Sequence, residues 1–128
     1  MLQNDFGLLI LRLALGILIL LHGIAKLLHG IGGIEGMLAN AGLPTALAYG
    51  VYIGEIVAPL MVVLGFHARL GGVIIALNML FAIGLAHAHQ LFQLTSHGGW
   101  QLELQGMYLV TAIAIALLGP GGFSINRR

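Results

Sequence analysis

The sequence predicts an all-α, integral membrane four-helix bundle, antiparallel, with both termini on the cytoplasmic side. Three observations predict it. Four apolar stretches each approach the ~20 residues that cross a hydrocarbon core. The 128 residues are 59% hydrophobic and only 7% charged, with a mean hydropathy of +1.04, whereas a soluble domain carries about 25% charged residues. So few charges would leave a water-exposed surface covered by large apolar patches. Finally, glycine, proline or polar residues punctuate every junction, and connections this short favour antiparallel neighbours. The chain reads as one membrane domain over 1–128, with spans near 4–29, 45–65, 68–89 and 100–119.

The first span, about Asn4 to His29, contains Arg12, His22 and Lys26. It is too long for a signal-peptide core, no basic residue precedes it and no small-residue cleavage site follows, so it reads as retained. The connection Gly30 to Pro44 is glycine-rich and apolar and suits a short interfacial helix or hairpin. Gly42-Leu43-Pro44 is a stop-and-restart signal, proline fitting a first helical turn. The second span runs from about Thr45 to Gly65 and contains Glu55 and Pro59. A tight turn, Gly65-Phe66-His67-Ala68-Arg69, leads into the third span, about Ala68 to His89, which carries Asn78. The third connection is polar and ends in Ser96-His97-Gly98-Gly99-Trp100, with Trp100 an interfacial anchor. The fourth span, about Trp100 to Gly119, is broken by Gly119-Pro120-Gly121-Gly122.

Small residues four apart, Gly50/Gly54, Ala68/Gly72, Gly72/Ala76 and Ala82/Ala86, let helix backbones approach in lipid. Arg69, Arg127 and Arg128 fall on the side of the termini with Arg12 nearest it, and Lys26 alone marks the other. The positive-inside rule then places both termini in the cytoplasm. Arg12-Leu13 and Arg69-Leu70 open alternate helices, a weak hint of a duplicated helix pair whose spacings match poorly.

A net charge of +1 gives no electrostatic case for nucleic acid. With no cysteine there are no disulfides, thiol redox chemistry, iron–sulfur clusters or thiolate metal sites. Quinone reduction of the CxxC-bearing four-helix kind is thereby excluded.

Charged side chains in lipid need partners or a cavity. Counted from the span ends at 1.5 Å per residue, Arg12 lies about 12 Å deep, and Glu55 and Asn78 about 15 Å. The counting predicts an Arg12–Glu55 pair with Asn78 as an extra partner. Pro59 has no N–H, so the Glu55 carbonyl loses its helical donor, and the five-donor fork of Arg12 can serve both groups. Such a trio either fixes helix packing or lines a ligand cavity or proton path. A second layer lies towards the outer face. His22 and Lys26 share a helix face, Glu103 stands one turn into the fourth span, and His87 and His89 close the third. Lys26–Glu103 is the expected pair there. His89 aligns with Asn78 and fits the interior, while His87 points nearly opposite. This layer can exchange protons near neutral pH or hydrogen-bond a quinone carbonyl or small anion, or it can simply snorkel to head groups. His22, His87, His89 and His97 have no spacing specific to a metal, and none is assigned.

Several stretches, taken in order, resemble the DoxX family of small membrane proteins. They are Leu11-Arg12-Leu13-Ala14-Leu15-Gly16 with His22-Gly23 and Lys26-Leu27, then Gly42-Leu43-Pro44, Gly54-Glu55-Ile56-Val57-Ala58-Pro59-Leu60 and Gly65-Phe66-His67-Ala68-Arg69-Leu70. Glu103-Leu104, Leu117-Leu118-Gly119-Pro120-Gly121 and Phe123-Ser124 complete the set. The resemblance covers nearly the whole chain; the usual tail carries an acidic residue where this one has Asn126. It implies a four-helix, multi-pass protein of the cell inner membrane. Some relatives are small subunits of thiosulfate:quinone oxidoreductases or terminal quinol oxidases. The expected function is therefore a small subunit or accessory protein of a quinone-linked oxidoreductase system, binding a quinone or lipid-like ligand in the bundle. The partners expected are the lipid bilayer, an oxidoreductase subunit and a second copy of the chain. An oligomeric small-solute or proton transporter and a structural scaffold of a membrane complex are the alternatives. Without cysteines or a metal motif, the chain alone lacks a complete redox centre, and electrons must come through a bound quinone or a partner.

Overall fold

A computed structural model describes residues 2–87 and 91–126, with the backbone alone for residues 86 and 87. Among these residues the secondary structure is helical, and the sole β pairing is an isolated bridge between Leu94 and Trp100. Helix α1 spans Leu2–His29 and α2 spans Gly32–Asn40. Helix α3 spans Thr45–Leu64. Helix α4 covers Ala68–Ala82 and runs on through a π-helical turn, Ile83–His87, while α5 covers Glu103–Leu118. Three of these are long and apolar enough to cross a bilayer: Leu2–His29, Thr45–Leu64 and Ala68–Leu85. Helix α5 is equally apolar but 16 residues long. It starts later than the sequence suggests, because Trp100 to Leu102 form a turn in which the Trp100 indole N–H donates to the Leu91 carbonyl (2.7 Å).

Helix α1 buries one narrow stripe, Arg12, Leu15, Gly16, Ile19 and Gly23. The spacing of three and four residues is that of one helix face. Ile17, Leu18, Leu21, Ile24 and Leu27 lie exposed on the rest of the surface, as they would against lipid. The bundle centre is Leu15, Ile19, Ala58, Val62, Ile75, Met79, Ala112 and Ile115. Glycines set the helix spacing. A methyl group on Gly23 would fall on the Glu55 carbonyl, and one on Gly72 would meet the Ala112 carbonyl at 2.7 Å. The first connection folds as α2, whose Leu38 joins Ile31 and Ala48 in a second apolar cluster capping one end of the bundle.

Helix α3 is irregular for a local reason. Pro59 lacks an N–H, and its ring crowds the carbonyl four residues back, that of Glu55. The chain widens into a π-helical turn at Ile53–Val57, and Ala58 bonds back to Ile53 across five residues. The freed Glu55 carbonyl lies against Gly23, not against Arg12. Helix α3 then ends at Gly65 (φ 71°), with Phe66 N–H bonding to Met61 O (2.9 Å) and Gly65 N–H to Val62 O (3.2 Å). This is a left-handed glycine C-cap.

The tail after α5 folds back beneath α1. Asp5 accepts from Gly122 N–H (2.9 Å), Phe123 stacks on Phe6 (5.0 Å between centroids), and Asn126 N–H donates to Gly65 O (3.1 Å). Arg69 donates to the carbonyls of Ala116 (3.2 Å) and Leu117 (2.6 Å), placing its charge at the C-terminus of α5. The Asn126 side chain accepts from His67 N–H (2.9 Å), a residue held in the left-handed region at φ 47°. An amide oxygen does there what a carboxylate would do.

Candidate functional site

The polar side chains expected inside the bundle separate into two groups, and the pairing differs from the sequence expectation. Arg12 does not meet Glu55. Its side chain is fully buried, and its guanidinium donates to the carbonyls of Val62 (3.4 Å) and Phe123, with no partner for Nε among the described residues. Lys26 does not meet Glu103. Its Nζ is 2.5 Å from Glu55 Oε2, with the carboxylate side chain 6% exposed and the lysine 33%. Asn78 donates to the same Glu55 oxygen at 3.4 Å, as the sequence suggests.

Two physical reasons account for the exchange. Helix α1 has 28 residues and is therefore about 42 Å long, so it overhangs the end of α3. Gly16 packs against Pro59 and Val63, which puts Arg12 level with the end of α3 and Gly23 level with Glu55. Counting depth from each helix end wrongly assumed level ends. Side chains also tilt towards the N-terminus of their own helix. Arg12 thus reaches out towards the tail, whereas Lys26 reaches back towards the centre. Glu103, in the first turn of α5, tilts out of the bundle towards Gly99, is exposed, and leaves Lys26 to Glu55.

Around the Lys26–Glu55 pair lie two cavities. One, of about 190 Å³, is lined by Ile19, His22, Met79, Ala82, Leu104, Gln105 and Tyr108 together with the pair. His22 stands edge-on to Tyr108, 6.1 Å between ring centroids. The other, of about 210 Å³, lies under α2 and is walled by Ile34, Met37, Val51, Phe81 and Leu85, with the pair and Asn78 at its floor. Lys26, Glu55 and Ala82 border both. The first cavity has the usual composition of a small-molecule site: mostly apolar walls with a few convergent polar groups. Both π-helical turns among the described residues, Ile53–Val57 and Ile83–His87, adjoin this region, and such turns concentrate at functional sites.

His22, Lys26, Glu55 and Asn78 are therefore brought together, and Arg12 and Glu103 stand apart. The side chain of His87, and His89 altogether, lie outside the described residues. Sequence reasoning missed Tyr108 and Gln105. Their signal was present: they are three residues apart on α5, on one face, in a helix whose other polar side chains are Glu103 and Thr111. Among the described residues, no three His, Asp or Glu side chains are grouped to hold a metal ion.

Comparison with known proteins gives a consistent lineage. The DoxX family model matches residues 7–88. A Bacillus subtilis (strain 168) protein described as "Putative oxidoreductase CatD" is 30% identical over 115 residues, covering 90% of this chain and 81% of that protein. No solved structure matches the chain.

Proposed function

The chain belongs to the DoxX family and is a multi-pass membrane protein, and from that premise we propose that it serves a quinone-linked oxidoreductase system as a small subunit or accessory protein, binding a quinone or lipid-like ligand beside Lys26 and Glu55. The observation that carries this reading is the cavity of about 190 Å³ in which Lys26, Gln105, Tyr108 and His22 converge on apolar walls. The relative described as an oxidoreductase supports the reaction class.

The donor set fits a ring with two carbonyl acceptors. Lys26 Nζ and the Gln105 amide donate, Tyr108 adds a hydroxyl, and Ile19, Met79, Ala82 and Leu104 supply apolar walls. When bound, a quinone supplies two-electron chemistry. Glu55 holds the Lys26 ammonium turned inward, which places it where electron density would grow. His22 lines the cavity yet is exposed on its outer side, so its imidazole is placed to pass protons between the site and the surroundings. Electrons come from a partner, since the chain has no cysteine to carry them.

We place the protein in the inner membrane, with α5 as a fourth crossing and both termini in the cytoplasm. Arg12, Arg69, Arg127 and Arg128 support that orientation by the positive-inside rule. Trp100, whose ring covers Gly106 at the start of α5, would mark the outer interface. The test is solvent extraction of the purified protein followed by mass analysis. Quinone retained by wild type and lost in His22→Ala and Lys26→Met supports the reading. Equal retention by all three overturns it.

A further inference from the structure

The 190 Å³ cavity accommodates a head group but leaves no room for the long chain that anchors a membrane quinone, and the rest of the molecule supplies a place for one. A groove of about 310 Å³ runs between α3 and α4, lined by Leu47, Gly50, Val51, Gly54, Leu77 and Phe81, with Asn78 at its inner end. It shares Val51, Asn78 and Phe81 with the apolar chamber beneath α2. That chamber shares Lys26, Glu55 and Ala82 with the head-group cavity. The three spaces thus adjoin in sequence, each sharing wall residues with the next, from apolar at the groove to polar at His22.

We infer that the groove between α3 and α4 is a lateral portal that takes the alkyl or isoprenoid chain of the ligand, the chain passing Ala82 and the chamber under α2 while the ring sits against Lys26. The inference rests on the quinone reading and names the route of the chain.

Four observations carry it. The groove opens where lipid would lie, since Leu47, Ile53 and Leu77 beside it are exposed. Glycine makes the opening: a methyl group on Gly50 would meet nothing within 4 Å, so the space there is unfilled. One of the three residues that the chamber and the head-group cavity share, Ala82, is small. The chamber roof is α2, a nine-residue helix joined through Gly30 (φ 82°) and Gly42 (φ 75°), and its Ile34 and Met37 face the chamber. Methionine adapts its shape to flexible chains.

Gly50 has a helical backbone (φ −61°), so a large side chain there fills the portal without straining the fold. The experiment titrates two probes into the purified full-length protein: a methoxy-substituted benzoquinone without a chain, and the same ring bearing a decyl chain. In wild type the decyl compound is expected to bind at least about tenfold tighter, from the apolar area its chain buries. In Gly50→Phe that advantage should vanish while the chainless ring binds as before. Leu77→Trp, at the exposed mouth, should act in the same direction and serves if Gly50→Phe does not accumulate. Undiminished decyl affinity in a folded blocking variant overturns the portal: the groove then holds at most a bilayer acyl chain, and the ligand's chain leaves elsewhere. If wild type binds the decyl compound no tighter than the bare ring, the portal falls and the quinone reading stands. If wild type binds neither probe, both fall.

Discussion

Arg12 and Lys26 stand fourteen residues apart on one helix, and they meet opposite surroundings. Arg12 is sealed. Among the described residues it has no carboxylate partner, and its donors go to the carbonyls of Val62 and Phe123; its side chain has no exposure. Around it, the tail, the end of α3 and the start of α1 are tied by Asp5, Gly65 and Asn126. Lys26 is one-third exposed, faces a carboxylate, and has a cavity on each side. One cation closes a joint between chain segments; the other borders space that a ligand can enter. Charge alone inside a membrane helix therefore does not mark a site. What distinguishes the two is whether protein backbone has consumed the donors.

Substitutions can break this contrast or make it sharper, and stability should respond most at the sealed end. Arg12→Met removes a fully buried donor set, strands the Phe123 carbonyl and loosens the tail; it should cost about 2–4 kcal/mol. The detergent melting midpoint should fall clearly, while quinone affinity per folded molecule stays unchanged. Loss of affinity equal to that of Lys26→Met would dissolve the distinction. Gly23→Ala comes next. Its methyl group would press on the Glu55 carbonyl and push α1 from α3, costing about 1–3 kcal/mol. It should also weaken binding, because it shifts the same turn that holds the Glu55 carboxylate.

Glu55→Ala is expected to cost less in stability, about 1–2 kcal/mol, since Lys26 can turn towards the wet end of its helix and is partly screened there. Binding of a quinone should suffer far more than folding does, a ratio opposite to that of Arg12→Met. A melting curve as depressed as that of Arg12→Met would show the Glu55 pair to be a structural clamp. The smallest effect belongs to Asn126. Asn126→Ala removes the acceptor for His67 N–H and should cost about 1 kcal/mol, as a lost cap does. Asn126→Asp keeps the acceptor, and its midpoint should lie near wild type.

Much of the architecture was legible because lipid demands a simple pattern. Long apolar runs became Leu2–His29, Thr45–Leu64 and Ala68–Leu85, and the glycine and proline signals at Gly42-Leu43-Pro44 and Gly65 mark real helix ends. The apolar first connection, which suited a short helix or a hairpin, folds as the helix α2. The composition of the Lys26 site was readable in part: His22, Lys26, Glu55 and Asn78 were all singled out. Their pairing was not, because pairing depends on vertical register between helices and on side-chain tilt. The overhang of α1 is fixed by the tail packing against Asp5 and Phe6, contacts more than a hundred residues apart in the chain. Tyr108 and Gln105 stayed hidden because neither is a charged residue and both fall within the first two turns of α5, where polar side chains are ordinary.

If Lys26, unlike the tail joint, borders a ligand site, a bound ligand must stabilise the fold through it. Thermal unfolding with and without saturating decyl-benzoquinone tests it in three proteins: wild type, Lys26→Met and Asn126→Ala. At about a hundredfold excess over Kd, linkage predicts a stabilisation of about 2.7 kcal/mol. That shift should appear in wild type and in Asn126→Ala and be absent from Lys26→Met. An equal shift in Lys26→Met would contradict the claim.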